Sequence, residues 1–137
     1  MSVQTQTTSF KAECWQAVHD LLTDTLKVAL YTGAASLDQD TTVYTTSNEV
    51  SGTGYTAGGE VITGVTINTS GFTAYASFTN PTWAASLTAR YALIYNASKG
   101  DKSIAVLDFG SDKTTVGTFT ITLPANTATS ALLRSSN

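Results

Sequence analysis

Apolar and polar positions change period along the chain, and the changes divide it. Residues 1–9 are mostly Thr, Gln and Ser with no repeating apolar spacing, which predicts an N-terminal arm that is disordered alone and orders on binding. In residues 10–22, Trp15, Val18, Leu21 and Leu22 return at three- and four-residue spacing, so an amphipathic helix capped by Ser9 is expected there. Leu26 to Tyr31 reads as a first strand, ended by Gly33. Residues 34–47 follow neither period and run into the stretch from Asn48 to Glu60, where Gly52, Gly54, Gly58 and Gly59 surround Tyr55. A surface connection of this length exceeds the ~4–6 residues usual between elements, and long loops are more often functional than accidental.

From Glu60 onward the period shortens to two. Strands are expected over residues 61–67, 72–78, 87–95, 104–109 and 114–123, separated by turn signals such as Asn68-Thr69-Ser70-Gly71 and Asn80-Pro81. The nearly all-apolar run from Ile104 to Phe109 predicts a central strand covered on both faces. Ala131-Leu132-Leu133 adds a short final strand. Seven or eight strands at this spacing predict an all-β fold: an antiparallel two-sheet sandwich, jelly-roll or immunoglobulin-like, with one N-terminal helix. The domain reading is an arm at 1–9 and a single sandwich domain at 10–137.

Composition supports the β reading. The 137 residues include 26 threonines, whose branched Cβ suits a pleated strand, and only 12 % are charged. A net charge of -3 removes the general attraction to phosphates on which most nucleic-acid binding depends, so no nucleic-acid partner is expected. No apolar run approaches the ~20 residues of a membrane span, and the first residues lack the pattern of a secretion signal. The expectation is a soluble chain made in the cytoplasm, with no membrane partner. A lone cysteine, Cys14, leaves stability to packing or assembly.

Candidate chemistry is sparse. Cys14 and His19 lie five residues apart, about 140° around a helix, and so would face different directions. Asp38-Gln39-Asp40 lacks the further oxygen ligands of a calcium loop. Gly52-Thr53-Gly54-Tyr55-Thr56-Ala57 copies a dinucleotide-binding fingerprint without the strand before it and the helix after it. Asp108-Phe109-Gly110 copies a kinase tripeptide without its company. No catalytic residue, cofactor or metal is therefore expected. The aromatics Tyr44, Tyr55, Trp83 and Tyr91 offer a docking platform; Trp83 and Tyr91 suit the core or a sheet face, while Tyr55, flanked by glycines, is expected at a partner surface.

Five segments together resemble small structural proteins of tailed double-stranded DNA bacteriophages: Leu26 to Tyr31, Asn48 to Gly59, Pro81-Thr82-Trp83, Ala92 to Tyr95, and Val106 to Gly110. The likeness covers about residues 10–123, and the run from Glu49 to Gly59 is its most specific part. It implies a non-enzymatic capsid decoration, or cement, protein in the virion. Its partners would be the major capsid protein and neighbouring copies of itself, with a tail, neck or fibre-associated host-binding protein as the alternative. The expected contacts are the arm, the helix and the loop at 34–59, with Phe10, Trp15, Tyr44 and Tyr55 as partner-binding residues.

Overall fold

In the computed structural model, which describes residues 3–136 and only the backbone of Val3, the chain forms ten strands and one α-helix. In chain order these are β1 (Val3–Gln6), α1 (Thr8–Trp15), β2 (Leu26–Tyr31), β3 (Glu60–Val61), β4 (Thr66–Ser70) and β5 (Thr73–Ser77). They continue with β6 (Thr82–Trp83), β7 (Thr88–Asn96), β8 (Lys102–Thr114), β9 (Phe119–Thr120) and β10 (Leu133–Ser135). The fold is an all-β antiparallel sandwich with one N-terminal helix. One layer is a five-stranded sheet in the order β1-β8-β7-β2-β3. The other is in two pieces, a three-stranded sheet β10-β5-β4 and a ribbon of β6 and β9.

Strand alternation explains the core. Val28 and Leu30 of β2, Ala92 and Ile94 of β7, and Ala105 and Leu107 of β8 point to one face of the large sheet. There they pack on Ala76, Phe78, Trp83, Phe119, Ile121 and Leu133 of the second layer. The intervening residues Ala29, Tyr31, Leu93, Tyr95 and Val106 are equally buried on the opposite face, under Ala35, Leu37 and Tyr44. The segment between β2 and β3 is the irregular, mostly exposed connection expected, and its part from Ala35 to Tyr44 lies over that face as a third layer. Its backbone is tied down by Val50 N–H to the Leu30 carbonyl at 2.9 Å, Tyr44 N–H to Asp101 at 2.9 Å and Ser103 N–H to Thr42 at 2.9 Å. Double coverage is why β2 from Val28 to Tyr31 and β8 from Ile104 to Leu107 lack a polar face.

Four expectations are corrected. The arm is structured where it is described: β1 pairs antiparallel with β8, from Val3 opposite Asp108 to Gln6 opposite Ala105, because β8 needs a neighbour on its outer side. Met1 and Ser2 lie outside the described residues. The helix is shorter than expected, and its cap lies two residues earlier. Thr7, fully buried, accepts from the Phe10 N–H at 3.3 Å in place of Ser9, and Ala17 takes φ 58°, ending the helix after Trp15. Residues 18–24 turn instead, since Asp20 accepts from Leu22 N–H and Asp24 from Asp20 N–H. Finally, the expected break after Phe109 is a bulge inside β8. Arg90 alone faces the stretch from Phe109 to Asp112, and Asp108 Oδ1 accepts from Gly110 N–H at 2.8 Å and Arg90 Nε at 3.2 Å. Only Phe119–Thr120 of the expected strand at 114–123 is a separate strand.

Candidate partner-binding site

An apolar groove of about 280 Å³ opens between α1 and the three-stranded sheet. Helix α1 drops Phe10 inward, 5 % exposed, to form the floor with Ala76 and Leu133. Register places Leu133 opposite Ala76 and Ala76 opposite Ile67, so one apolar row crosses the small sheet from the core to its edge. Ile67 is 48 % exposed where that row reaches solvent. Trp15, the last helical residue, stands at the mouth with 94 % of its surface exposed. Leu21 completes the wall, and Lys11 and Arg134 add two exposed cations to the rim. Neither cation is within salt-bridge distance of a carboxylate among the described residues.

Of the four residues expected at a partner surface, the groove brings together Phe10 and Trp15 only. Tyr44 and Tyr55 meet elsewhere, at Glu49. The Tyr44 hydroxyl donates to Glu49 Oε1 at 2.6 Å, the Tyr55 hydroxyl to Oε2 at 2.6 Å, and Gly58 N–H to Oε2 at 2.9 Å. The Tyr55 hydroxyl also accepts from Leu30 N–H at 3.0 Å, and its ring lies 6.3 Å from that of Trp83. At 9 % exposure Tyr55 is a core residue, which corrects the expectation of a surface tyrosine: the flanking glycines let the chain fold the ring inward. Gly59 has φ 83°, and a Cβ there would run into the Val28 carbonyl. Trp83, 1 % exposed, is core as expected.

Burial, followed by the bond to Glu49, pushes the Tyr44 and Tyr55 hydroxyls well above the ordinary phenol range. Burial pushes Tyr95, whose ring stacks on Tyr44 at 4.7 Å, up to about 12. These hydroxyls are fixed donors, and the network fastens the third layer to the sheet. The signal for Glu49 was present in the sequence, since it is the one charged residue between Asp40 and Glu60. Nothing local marked Leu21, Ile67, Leu133, Lys11 or Arg134 as groove residues.

The remaining polar clusters are also structural. His19 lies beyond the helix, its ring fully buried against Phe10, with Nε2 2.9 Å from Glu13 Oε1. Asn96 accepts from Ser98 N–H and donates to Asp24 Oδ2, so its amide NH2 also faces His19 Nδ1, which is therefore the acceptor. Hydrogen bonds from Asn96, Asp20 N–H and Lys99 lower Asp24 to about 2. Cys14 faces the groove; burial and then the Glu13 charge push its thiol up, away from the nucleophilic thiolate. Asp38 closes a local turn by accepting from Asp40 N–H at 2.8 Å. Among the described residues no three His, Cys, Asp or Glu side chains cluster as a metal site, and no helix is long and apolar enough to cross a membrane.

The fold and groove define an all-β sandwich that presents an apolar, cation-rimmed cleft. No protein-family model, curated protein or solved structure matches the chain.

Proposed function

We propose that this chain is a capsid decoration protein, which binds the outside of an assembled phage head and bridges neighbouring major capsid subunits. The resemblance carried by the Glu49 to Gly59 run supplies the class of partner. The observation that carries the mechanism is Trp15, 94 % exposed over an apolar floor. A tryptophan displayed in this way costs little conformational entropy to dock, and such residues dominate interfaces. The groove suits an apolar segment of a capsid subunit with an acidic residue placed to meet Lys11 and Arg134.

Binding of the assembled shell, and not of separated subunits, shifts the equilibrium toward the shell. No bond needs to be made or broken. The test is co-sedimentation with tailless heads lacking this protein. Wild type binds, and Trp15→Ala weakens binding by about 30-fold, the equivalent of a ~2 kcal/mol hot spot. Binding to purified tails and not to heads would transfer the chain to the tail, neck or fibre-associated class; binding to neither would end the virion reading.

A further inference from the structure

β4 is an open sheet edge. All five of its residues, Thr66-Ile67-Asn68-Thr69-Ser70, are exposed, and none carries a charge or is a proline. Among the described residues, no backbone hydrogen bond outside its ladder with β5 reaches it. The two edges of the five-stranded sheet and the other edge of the three-stranded one are blunted. β3 is two residues long and holds Glu60; β10 carries Arg134, whose carbonyl accepts from the Gln6 side chain at 2.7 Å; and Gln4 to Gln6 of β1 are partly covered. Natural sheets usually protect a long edge with charge, proline or a bulge, and β4 has none of these.

The geometry of the edge specifies what pairs with it. Ser70 lies opposite Thr73 across the two-residue turn Gly71-Phe72, and Gly71 has φ 59°. In such a hairpin the closing pair exchanges backbone bonds and the pairs then alternate, so Thr66, Asn68 and Ser70 bond to β5. Ile67 and Thr69 are left with N–H and C=O groups pointing outward. That spacing is self-complementary: an antiparallel copy of β4 centred on Asn68 sets Ile67 opposite the partner's Thr69 and satisfies both residues on each strand.

We propose that β4 pairs with β4 of a second copy across a two-fold axis through Asn68, fusing the two small sheets into one. Every facing pair is uncharged: Ile67 with Thr69, Thr66 with Ser70, and Asn68 with itself. Like-charge repulsion, the usual bar to isologous edges, is absent. The axis stands normal to the sheet, so the two grooves, each ending at Ile67, open on the same side of the dimer. This pairing is independent of the capsid reading and is measured on the isolated chain.

The test combines sedimentation equilibrium with cross-linking. Wild type is expected to dimerise reversibly. Thr69→Pro removes an outward donor that β5 does not use, and Asn68→Lys sets like charges face to face. Each enters the two-fold contact twice and weakens association at least about ten-fold, with unchanged thermal unfolding of the monomer. Asn68 and the partner's Asn68 form a non-hydrogen-bonded pair, with Cα atoms about 4.5 Å apart, within disulfide reach. In a Cys14→Ser background, Asn68→Cys cross-links under mild oxidation, whereas Ser70→Cys, several residues from its own copy, does not. A chain monomeric at every concentration, a dimer indifferent to both edge substitutions, or equal cross-linking at 68 and 70 would each overturn the proposal.

Discussion

Glu49 concentrates four functions in one carboxylate: it holds Tyr44, Tyr55 and Gly58, and through Tyr55 it steadies the Leu30 N–H of the central sheet. Tyr55→Phe keeps the ring against Trp83 but removes the hydroxyl that serves both groups. The expected loss is about 1–3 kcal/mol of unfolding free energy by urea titration, since a buried N–H and a carboxylate oxygen each lose a partner. The same residue gives a pH dependence. Its folded hydroxyl titrates above its unfolded value near 10, so the stabilisation is full below pH 10 and is lost as pH rises beyond it. Alkaline unfolding should coincide with tyrosinate absorbance in wild type, and Tyr55→Phe should flatten that limb. Glycine-rich flanks showed in the sequence that Tyr55 sits in a shaped loop. They did not show which way the ring points, because that depends on a carboxylate and a strand N–H brought to it from elsewhere.

The stretch after Trp15 shows how tertiary contacts override a short period. Trp15, Val18, Leu21 and Leu22 are spaced as on a helix, but Ala17 sits at φ 58° and Leu22 is 63 % exposed. Buried polar bonds from His19 to Glu13 and Asn96 hold the turn, and a helix through Leu22 would break them. Ala17→Gly relieves the left-handed strain and should stabilise by about 0.5–1 kcal/mol in denaturant titration. Asp24 supports the same turn through Asn96, Asp20 and Lys99. Its folded pKa of about 2 lies below the ordinary aspartate value of 3.8, so its contribution is present above about pH 4 and is lost as pH falls toward 2. The melting temperature of Asp24→Asn should lie below that of wild type at neutral pH, and the gap should close between pH 4 and 2.

For the molecule as a whole, three layers depend on a sheet whose middle strands are covered on both faces over 28–31, 92–95 and 104–107. β1 closes the outer side of β8, so deletion of residues 1–6 should cost stability, on the order of 2 kcal/mol or more from the lost ladder, besides any effect on binding. A disordered arm would be removed without a change in melting temperature. Trp15→Ala is the converse case: at 94 % exposure it should leave unfolding within about 0.5 kcal/mol of wild type while it weakens docking.

The chain's own pattern determined the β class, the strands at Leu26–Tyr31 and Thr88–Asn96, the single helix near the start, and the two-sided burial of the Ile104 to Phe109 run. Each follows from nearest-neighbour geometry: period two for a pleated strand, and unbroken apolar residues where both faces are covered. Tertiary structure alone decided that residues 35–44 lie over the large sheet as a layer, that Tyr55 is core, and that Phe10, Ile67 and Leu133, more than 50 residues apart along the chain, line one groove. Those outcomes rest on strand order and register, which depend on how distant segments satisfy one another's hydrogen bonds and apolar surface, and no local spacing encodes them.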